Sequence, residues 1–151
     1  MDSCDYDYNL NRSDGCLRIW IPQFQLSTCK WLETFLQTNK VRTLSLQFCQ
    51  IIDVVDYFNR ILRESQIEEL HLISCFFDLR SLSNTIKQMP FLVSLSFSDS
   101  EKSLKQTSID CIVDILDHNS NIQFLWLGGK LLCNLYATPL APCWSIFRSL
   151  R

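Results

Sequence analysis

The sequence predicts an α/β solenoid, with a curved parallel sheet inside and helices outside, built from about five stacked units. One apolar spacing (apolar, two free positions, apolar, one free position, apolar) recurs near residues 16, 41, 67, 92 and 122. The two clearest copies, 41–46 and 67–72, are offset by 26 residues, and Cys49 and Cys75 follow them at the same distance. Self-similarity at such a period is typical of repeat architectures.

Each short apolar copy is predicted to be a β-strand, because apolar residues alternate with free positions within it. Leu44 and Leu46 alternate in this way, and Leu70 and Leu72 repeat the pattern one unit later. The alternation directs these leucines into a core and directs the intervening side chains to the opposite face. Equivalent strands are expected to lie side by side and parallel.

The segments between the strands are predicted to be helices, because their apolar residues recur at helical spacing. We expect Ser27-Thr28, Asp53 and Asp78 to cap the first three helices, since short polar side chains are preferred there. The fourth helix is expected between Thr107 and Asn119. Helices are about 10 Å wide and strands about 4.8 Å apart, so the stack should curve with its strands inside.

The strand and its following turn resemble the leucine-rich repeat superfamily, in its ribonuclease-inhibitor-like and cysteine-containing kinds. The segments that carry the resemblance are Leu44–Cys49 and Leu70–Cys75, which match the pattern L-x-L-x-x-N/C. The resemblance implies a right-handed β-α superhelix over residues 16–130. It also implies a protein-interaction module, with the substrate receptor of an F-box-type ubiquitin ligase as one alternative.

Three regions follow from this interpretation. Residues 1–15 are expected to be an N-terminal tail or cap, and residues 16–130 the repeats. Residues 131–151 are expected to be an irregular segment and the start of a truncated sixth repeat, because Phe147 lies 25 residues after Ile122. The sequence shows no polar cap that would cover the last core layer, and solenoids normally end with one. We therefore expect a fragment of a longer repeat protein.

Composition excludes several classes of function. The chain has 47% hydrophobic and 20% charged residues, which is enough for a continuous core. A formal net charge of −2 provides no basic face for nucleic acid and no polybasic patch for a membrane. The acidic N-terminus lacks the features of a secretory signal. We therefore expect a cytoplasmic protein, with a nuclear location as the alternative.

The eight cysteines are expected to be reduced, because disulfides are rare without secretion. No pair has the C-x-x-C spacing of a zinc or redox site, so no metal or cofactor is expected. His71 and Cys75 are four residues apart and raise the alternative of a thiol enzyme. The strand pattern directs them to opposite sides, whereas catalysis needs them within hydrogen-bond reach.

The predicted binding surface is the concave strand face. Strand alternation places polar side chains at its centre and a tryptophan towards each end, and exposed tryptophan is typical of interface hot spots. The alternative is that the chain's own terminal segments cover the two tryptophans. The candidate binding residues are Trp20, Thr43, Ser45, Gln47, Glu69, His71, Ser94, Ser96, Phe124 and Trp126.

We therefore expect a non-catalytic module that binds another protein, whose identity the sequence does not give. Further repeats of a longer chain are a second possible partner. A structural fragment with no activity of its own is the remaining alternative, because repeat stability depends on stacked neighbours.

Overall fold

The computed structural model describes residues 7–99 and 106–129, which contain eight strands and four helices. The sixth repeat predicted within residues 131–151 lies outside this part of the chain. In chain order the elements are β1 Tyr8–Asn11, β2 Cys16–Ile19, α1 Leu26–Thr38, β3 Thr43–Gln47, β4 Gln50–Ile51, α2 Val55–Glu64, β5 Glu69–Ile73, β6 Phe76–Phe77, α3 Leu79–Ile86, β7 Ser94–Asp99, α4 Gln106–His118 and β8 Phe124–Gly129.

Two sheets are present in the described residues. The main sheet has six strands in the order β1-β2-β3-β5-β7-β8, and β4 and β6 form a separate parallel pair. Within the main sheet β1 is antiparallel to β2, and every later pair is parallel. The strand that precedes each helix therefore lies next to the strand that follows it.

From β3 to β8 the parallel strands pair in the register that the apolar spacing predicted. Leu44 faces Leu70 and Leu46 faces Leu72 across β3 and β5, and Leu70 in turn faces Leu95 on β7. All five leucines are buried. The predicted inward side of these strands is confirmed. The predicted register of β2 is wrong by two residues, because Leu17 faces Leu44 at the position where the spacing placed Ile19.

The helices pack side by side against this inward side, in the order α1, α2, α3 and α4. Each contributes apolar side chains to the same core, which joins strands and helices. Polar contacts tie neighbouring helices together at the surface. Tyr57 and Arg60 on α2 bond to Glu33 on α1, and Lys87 after α3 pairs with Asp114 on α4.

Of the three predicted helix caps, one is correct and two are wrong. Asp78 accepts a hydrogen bond from the Arg80 N–H at 3.1 Å, so its predicted cap is confirmed. The Asp53 cap is wrong, because α2 begins after Val54 without a side-chain cap. The cap at Ser27-Thr28 is also wrong: α1 begins after Gln25, whose N–H donates to the Thr28 hydroxyl at 3.3 Å.

A turn with a single glycine brings β1 back beside β2. Gly15 has a φ of +68°, and its carbonyl accepts the N–H groups of Arg42 and Thr43 at 2.9 and 3.1 Å. A Cβ at this position would lie 3.2 Å from the Lys40 carbonyl oxygen. Glycine is needed here both for the left-handed backbone and for the close approach.

The predicted solenoid class is wrong. The described residues form a mixed α/β domain, in which a mostly parallel sheet begins with an antiparallel strand and is backed by four helices. The apolar spacing specifies one buried side of each strand and a helix between strands. Any parallel sheet covered by helices meets that requirement, so the spacing did not discriminate a solenoid from this fold.

Candidate functional site

The side of the main sheet that faces away from the helices carries two rows of side chains. Residues in each row face one another across the parallel ladder, in the order β2, β3, β5, β7 and β8. We call this surface the open face. The first row is Cys16, Thr43, Glu69, Ser94 and Phe124; the second row is Arg18, Ser45, His71, Ser96 and Trp126.

Side-chain size alternates across the open face. The positions on β3 and β7 are Ser or Thr, whereas β5 and β8 present larger side chains in both rows. Ser45 lies between Arg18 and His71, and Ser96 lies between His71 and Trp126. The two serines are therefore only 5% exposed, although both point away from the core. The alternation leaves a furrow over β3 and a strip of small side chains along β7.

The furrow over β3 is a groove of about 860 Å³ with charged walls. Arg18 and Arg42 line it together with Asp14 and Glu69, and the His71 Nε2 lies 3.4 Å from the Glu69 carboxylate. Arg42 also bonds to Glu68 at 2.6 Å, which holds the pKa of that carboxyl below its usual value. Opposite charges occur on both sides of the groove, so it offers no single-sign binding site.

The strip along β7 is polar and lies beside two aromatic side chains. Ser94 and Ser96 form the strip, and Phe124 and Trp126 on the adjacent strand β8 flank it. The two aromatic side chains are 58% and 57% exposed. Two large apolar side chains with this exposure on one strand make this edge of the open face a candidate contact site.

The ten predicted binding residues lie together on the open face. Eight occupy the two rows, and Gln47 faces Ile73 one step further along the ladder. Trp20 joins them through a hydrogen bond from its indole N–H to the Gln47 side chain. The geometry brings these residues together, and their role in binding remains a prediction.

Sequence reasoning missed part of this surface. Asp14 reaches the furrow over β3 through the β1–β2 turn, a region predicted only as a tail or cap. The signal for this turn was available, because Asn, Asp and Gly occur together at residues 11–15. Exposed apolar side chains also follow the carboxyl ends of β3 and β5, at Phe48, Ile52 and Phe76.

The His71 and Cys75 side chains bond to different partners, as the strand pattern predicted. His71 contacts Glu69, whereas the Cys75 sulfur lies 3.3 Å from the Leu46 carbonyl oxygen. Within residues 7–99 and 106–129, no group of three or more histidines, cysteines and acidic residues is placed to hold a metal ion. In the same residues no helix has the length and apolar character needed to cross a membrane.

Solved structures similar to this chain include two domains from other proteins. One is leiomodin-1 actin-binding site 2, with a TM-score of 0.60 and 18% identity over 88% of this chain and 78% of that one. The other is the C-terminal domain of tropomodulin from Caenorhabditis elegans, with a TM-score of 0.61 and 12% identity over 92% of this chain and 86% of that one. No protein-family profile and no curated protein sequence matches the chain.

These structures correct the family suggested by the sequence. The resemblance to leucine-rich repeats of the ribonuclease-inhibitor-like and cysteine-containing kinds is wrong, as are the solenoid and the ubiquitin-ligase adaptor that it implied. The similar structures are of the tropomodulin and leiomodin type. At 12–18% identity they establish a shared α/β fold, which the chain adopts over most of its length.

Proposed function

We propose that this chain is a non-catalytic protein-binding domain that contacts its partner through the open face of the main sheet. The observation that carries the proposal is the exposed pair Phe124 and Trp126 beside the small polar side chains of Ser94 and Ser96. Exposed aromatic anchors next to small polar residues match the composition of interface hot spots.

The chemistry of the open face favours binding over catalysis. A thiol enzyme needs a cysteine nucleophile in contact with a base. The other residues in the row that contains His71 are Arg18, two serines and Trp126, and none of them is a cysteine. Neither serine is hydrogen-bonded to His71 in the described contacts. The charged furrow over β3 and the exposed aromatic pair on β8 together supply polar specificity and apolar contact area.

Actin is the first partner to test. One structure that shares the fold is an actin-binding site of leiomodin-1, and the shared fold extends over 88% of this chain. Actin is abundant in the cytoplasm, the compartment predicted from the sequence. An association with the actin cytoskeleton would agree with that prediction.

A binding assay with matched variants tests both parts of the proposal. The purified full chain is titrated into fluorescently labelled monomeric actin, and is also sedimented with actin filaments. We expect saturable binding to at least one form. The double variant Phe124→Ala, Trp126→Ala should weaken it at least tenfold, because hot-spot aromatics carry most of an interface's free energy.

The control variant Asp56→Ala, Arg63→Ala changes two exposed residues of α2 on the opposite side of the domain and should bind like the parent. Melting temperatures of all variants verify folding. Equal affinity of the aromatic and control variants would reject the open face. Absence of binding to both forms of actin would reject actin as the partner.

A further inference from the structure

Charges in the furrow over β3 follow a definite order along the strands. The amino end of the furrow carries Asp14 on the β2 side and Glu69 on the β5 side, and its centre carries Arg18. The carboxyl end is lined by Trp20 and Ile73. From one end to the other, the furrow is therefore acidic, then basic, then apolar.

The two carboxylates at the amino end keep their negative charge. Asp14 accepts hydrogen bonds from the Asn11 side chain at 2.9 Å and from the Cys16 N–H at 3.0 Å, and both of these donors are uncharged. Glu69 lies 3.4 Å from the His71 ring, which carries a charge only when it is protonated. Neither carboxylate is therefore held by a permanent cation.

The two arginines of the furrow have different surroundings. Arg42 lies at the amino end, and its guanidinium is bonded at 2.6 Å to Glu68, a residue that does not line the furrow. Arg18 is exposed at the centre and forms no ion pair within residues 7–99 and 106–129. The amino end thus keeps a net negative charge, and the centre keeps a positive one.

The spacing of these charges matches that of side chains on an extended chain. Successive rows of the open face are two residues apart along each strand, which is about 6.6 Å. Alternate side chains of any extended segment point the same way at this same spacing. A segment laid along β3 would place one side chain at the acidic end, the next beside Arg18 and a third beside Trp20.

The width of the furrow favours an extended occupant over a helix. Both β2 and β5 are neighbours of β3, so their backbones lie about 9.6 Å apart. In the central row the side chains of Arg18 and His71 narrow this space and leave Ser45 only 5% exposed. An α-helix with its side chains is about 10–12 Å wide, so it would rest on the walls instead of entering the furrow.

We infer that the furrow over β3 receives an extended segment of the partner protein, which carries a basic, an acidic and an apolar side chain at alternate positions. The basic side chain lies against Asp14 and Glu69, the acidic one against Arg18, and the apolar one against Trp20 and Ile73. Complementary charges of this kind fix the register and exclude wrong partners. The inference rests on the proposed function, because it names the part of a partner that the open face receives.

Short synthetic peptides test the order of charges. The first probe is acetyl-Thr-Lys-Thr-Glu-Thr-Leu-Thr-amide, and the second has the reverse sequence, which serves the opposite chain direction. Each has a counterpart in which Lys and Glu exchange places, so that composition and net charge stay the same. Every peptide is titrated into the isotope-labelled full chain, and the NMR shifts of the backbone amides report both affinity and location.

The order of charges should decide the affinity. We expect the first or the second probe to bind at least about fivefold more tightly than its counterpart, because the exchange turns two attractions into two repulsions. The shifted amides should be centred on β2, β3 and β5. The preference should shrink in about 0.5 M sodium chloride, since salt screens exposed charges.

A charge exchange in the protein provides the reciprocal test. The variant Arg18→Glu, Glu69→Arg keeps the net charge and should abolish or reverse the preference between a probe and its counterpart. The control variant Lys30→Glu, Asp117→Lys exchanges two exposed charges on α1 and α4 and should keep the preference of the parent. Melting temperatures verify that both variants fold.

The comparison of peptides on the parent chain decides the question even if a variant fails to fold. Equal affinities of both probes and their counterparts, or no saturable shift with any peptide, would overturn the inference. An unchanged preference in the folded variant Arg18→Glu, Glu69→Arg would overturn it too. The proposed function fails separately, through actin binding and the variant Phe124→Ala, Trp126→Ala, so the two failures are distinguishable.

Discussion

The indole N–H of Trp20 donates to the side-chain oxygen of Gln47 at 2.6 Å, and this bond joins the residue after β2 to the last residue of β3. Gln47 thereby holds the tryptophan ring at the border of the furrow over β3, which both residues line. Trp20 is half-buried as a result, whereas Trp126 at the other end of the open face is mostly exposed.

Removing this bond should destabilise the fold modestly. Gln47→Met keeps the length of the side chain but leaves the indole donor without its partner, so we expect a loss of about 1 kcal/mol in the free energy of unfolding. Urea denaturation of Gln47→Met, Trp20→Phe and the double variant gives the coupling between the two residues. Additive losses would show that the bond contributes nothing.

Asn119 should contribute more, because it is a buried polar side chain with several partners. Its amide donates to the carbonyl oxygens of Ile86 and Met89 at 2.8 and 3.3 Å, and its oxygen accepts the Asn121 N–H at 3.1 Å. Asn119→Leu leaves these buried groups unpaired, so we expect a loss of about 2–4 kcal/mol in the free energy of unfolding.

Asn121 provides the matched control for this prediction. It is exposed, and its side chain donates only to the Pro90 carbonyl among the described contacts. Asn121→Leu should lower the free energy of unfolding by less than about 1 kcal/mol, because water can replace the lost donor. Similar losses in both variants, measured by urea denaturation, would contradict the role assigned to Asn119.

Features that depend on neighbouring residues in the sequence were predictable, and features that depend on cross-strand neighbours were not. Asp78 caps α3 through the N–H two residues later, which is a local interaction. The inward leucines followed from alternation alone. The burial of Ser45 and Ser96 depends instead on larger side chains from adjacent strands, whose identity requires the register.

The fold class failed for a related reason. The spacing that contains Leu44 and Leu46 reports a strand with one buried side, and many helix-covered sheets share it. The β1 strand and the turn at Gly15 were not part of the repeating pattern. Nothing in the spacing therefore indicated the antiparallel start of the sheet.

The backbone at Ser74 predicts an ordered series of stabilities. Ser74 has a φ of +52°, a left-handed conformation that costs an L-residue about 1 kcal/mol or more and costs glycine nothing. Ser74→Gly removes this cost but also makes the unfolded chain more flexible, which offsets part of the gain. The melting temperature should therefore stay the same or rise. Ser74→Val should lower it, because a β-branched side chain is strained there.

Ser65 tests whether this result is specific to the left-handed backbone. Its φ is −82°, and its hydroxyl donates to the Leu62 carbonyl at 2.7 Å. Ser65→Gly should therefore lower the melting temperature, opposite to Ser74→Gly. The same sign at both positions would rule out backbone strain as the cause.

Alkaline pH should destabilise the domain through Cys29. Burial raises the pKa of its thiol from 9.0 to about 11, with a smaller contribution from the negative charge of Glu33. A thiol whose pKa is higher in the folded state favours folding fully below pH 9, and this contribution is lost as the pH rises to about 11. At 1.36 kcal/mol per pKa unit, the loss is about 3 kcal/mol.

Melting temperatures of the parent and Cys29→Ala between pH 8 and 11 isolate this effect, because tyrosine and lysine titrations are common to both proteins. The variant should be less stable at pH 8, where its missing sulfur leaves a small cavity. Its disadvantage should then shrink as the pH rises, since the parent alone must ionise a buried thiol. Parallel curves for the parent and Cys29→Ala would show that burial of this thiol does not set the alkaline limit.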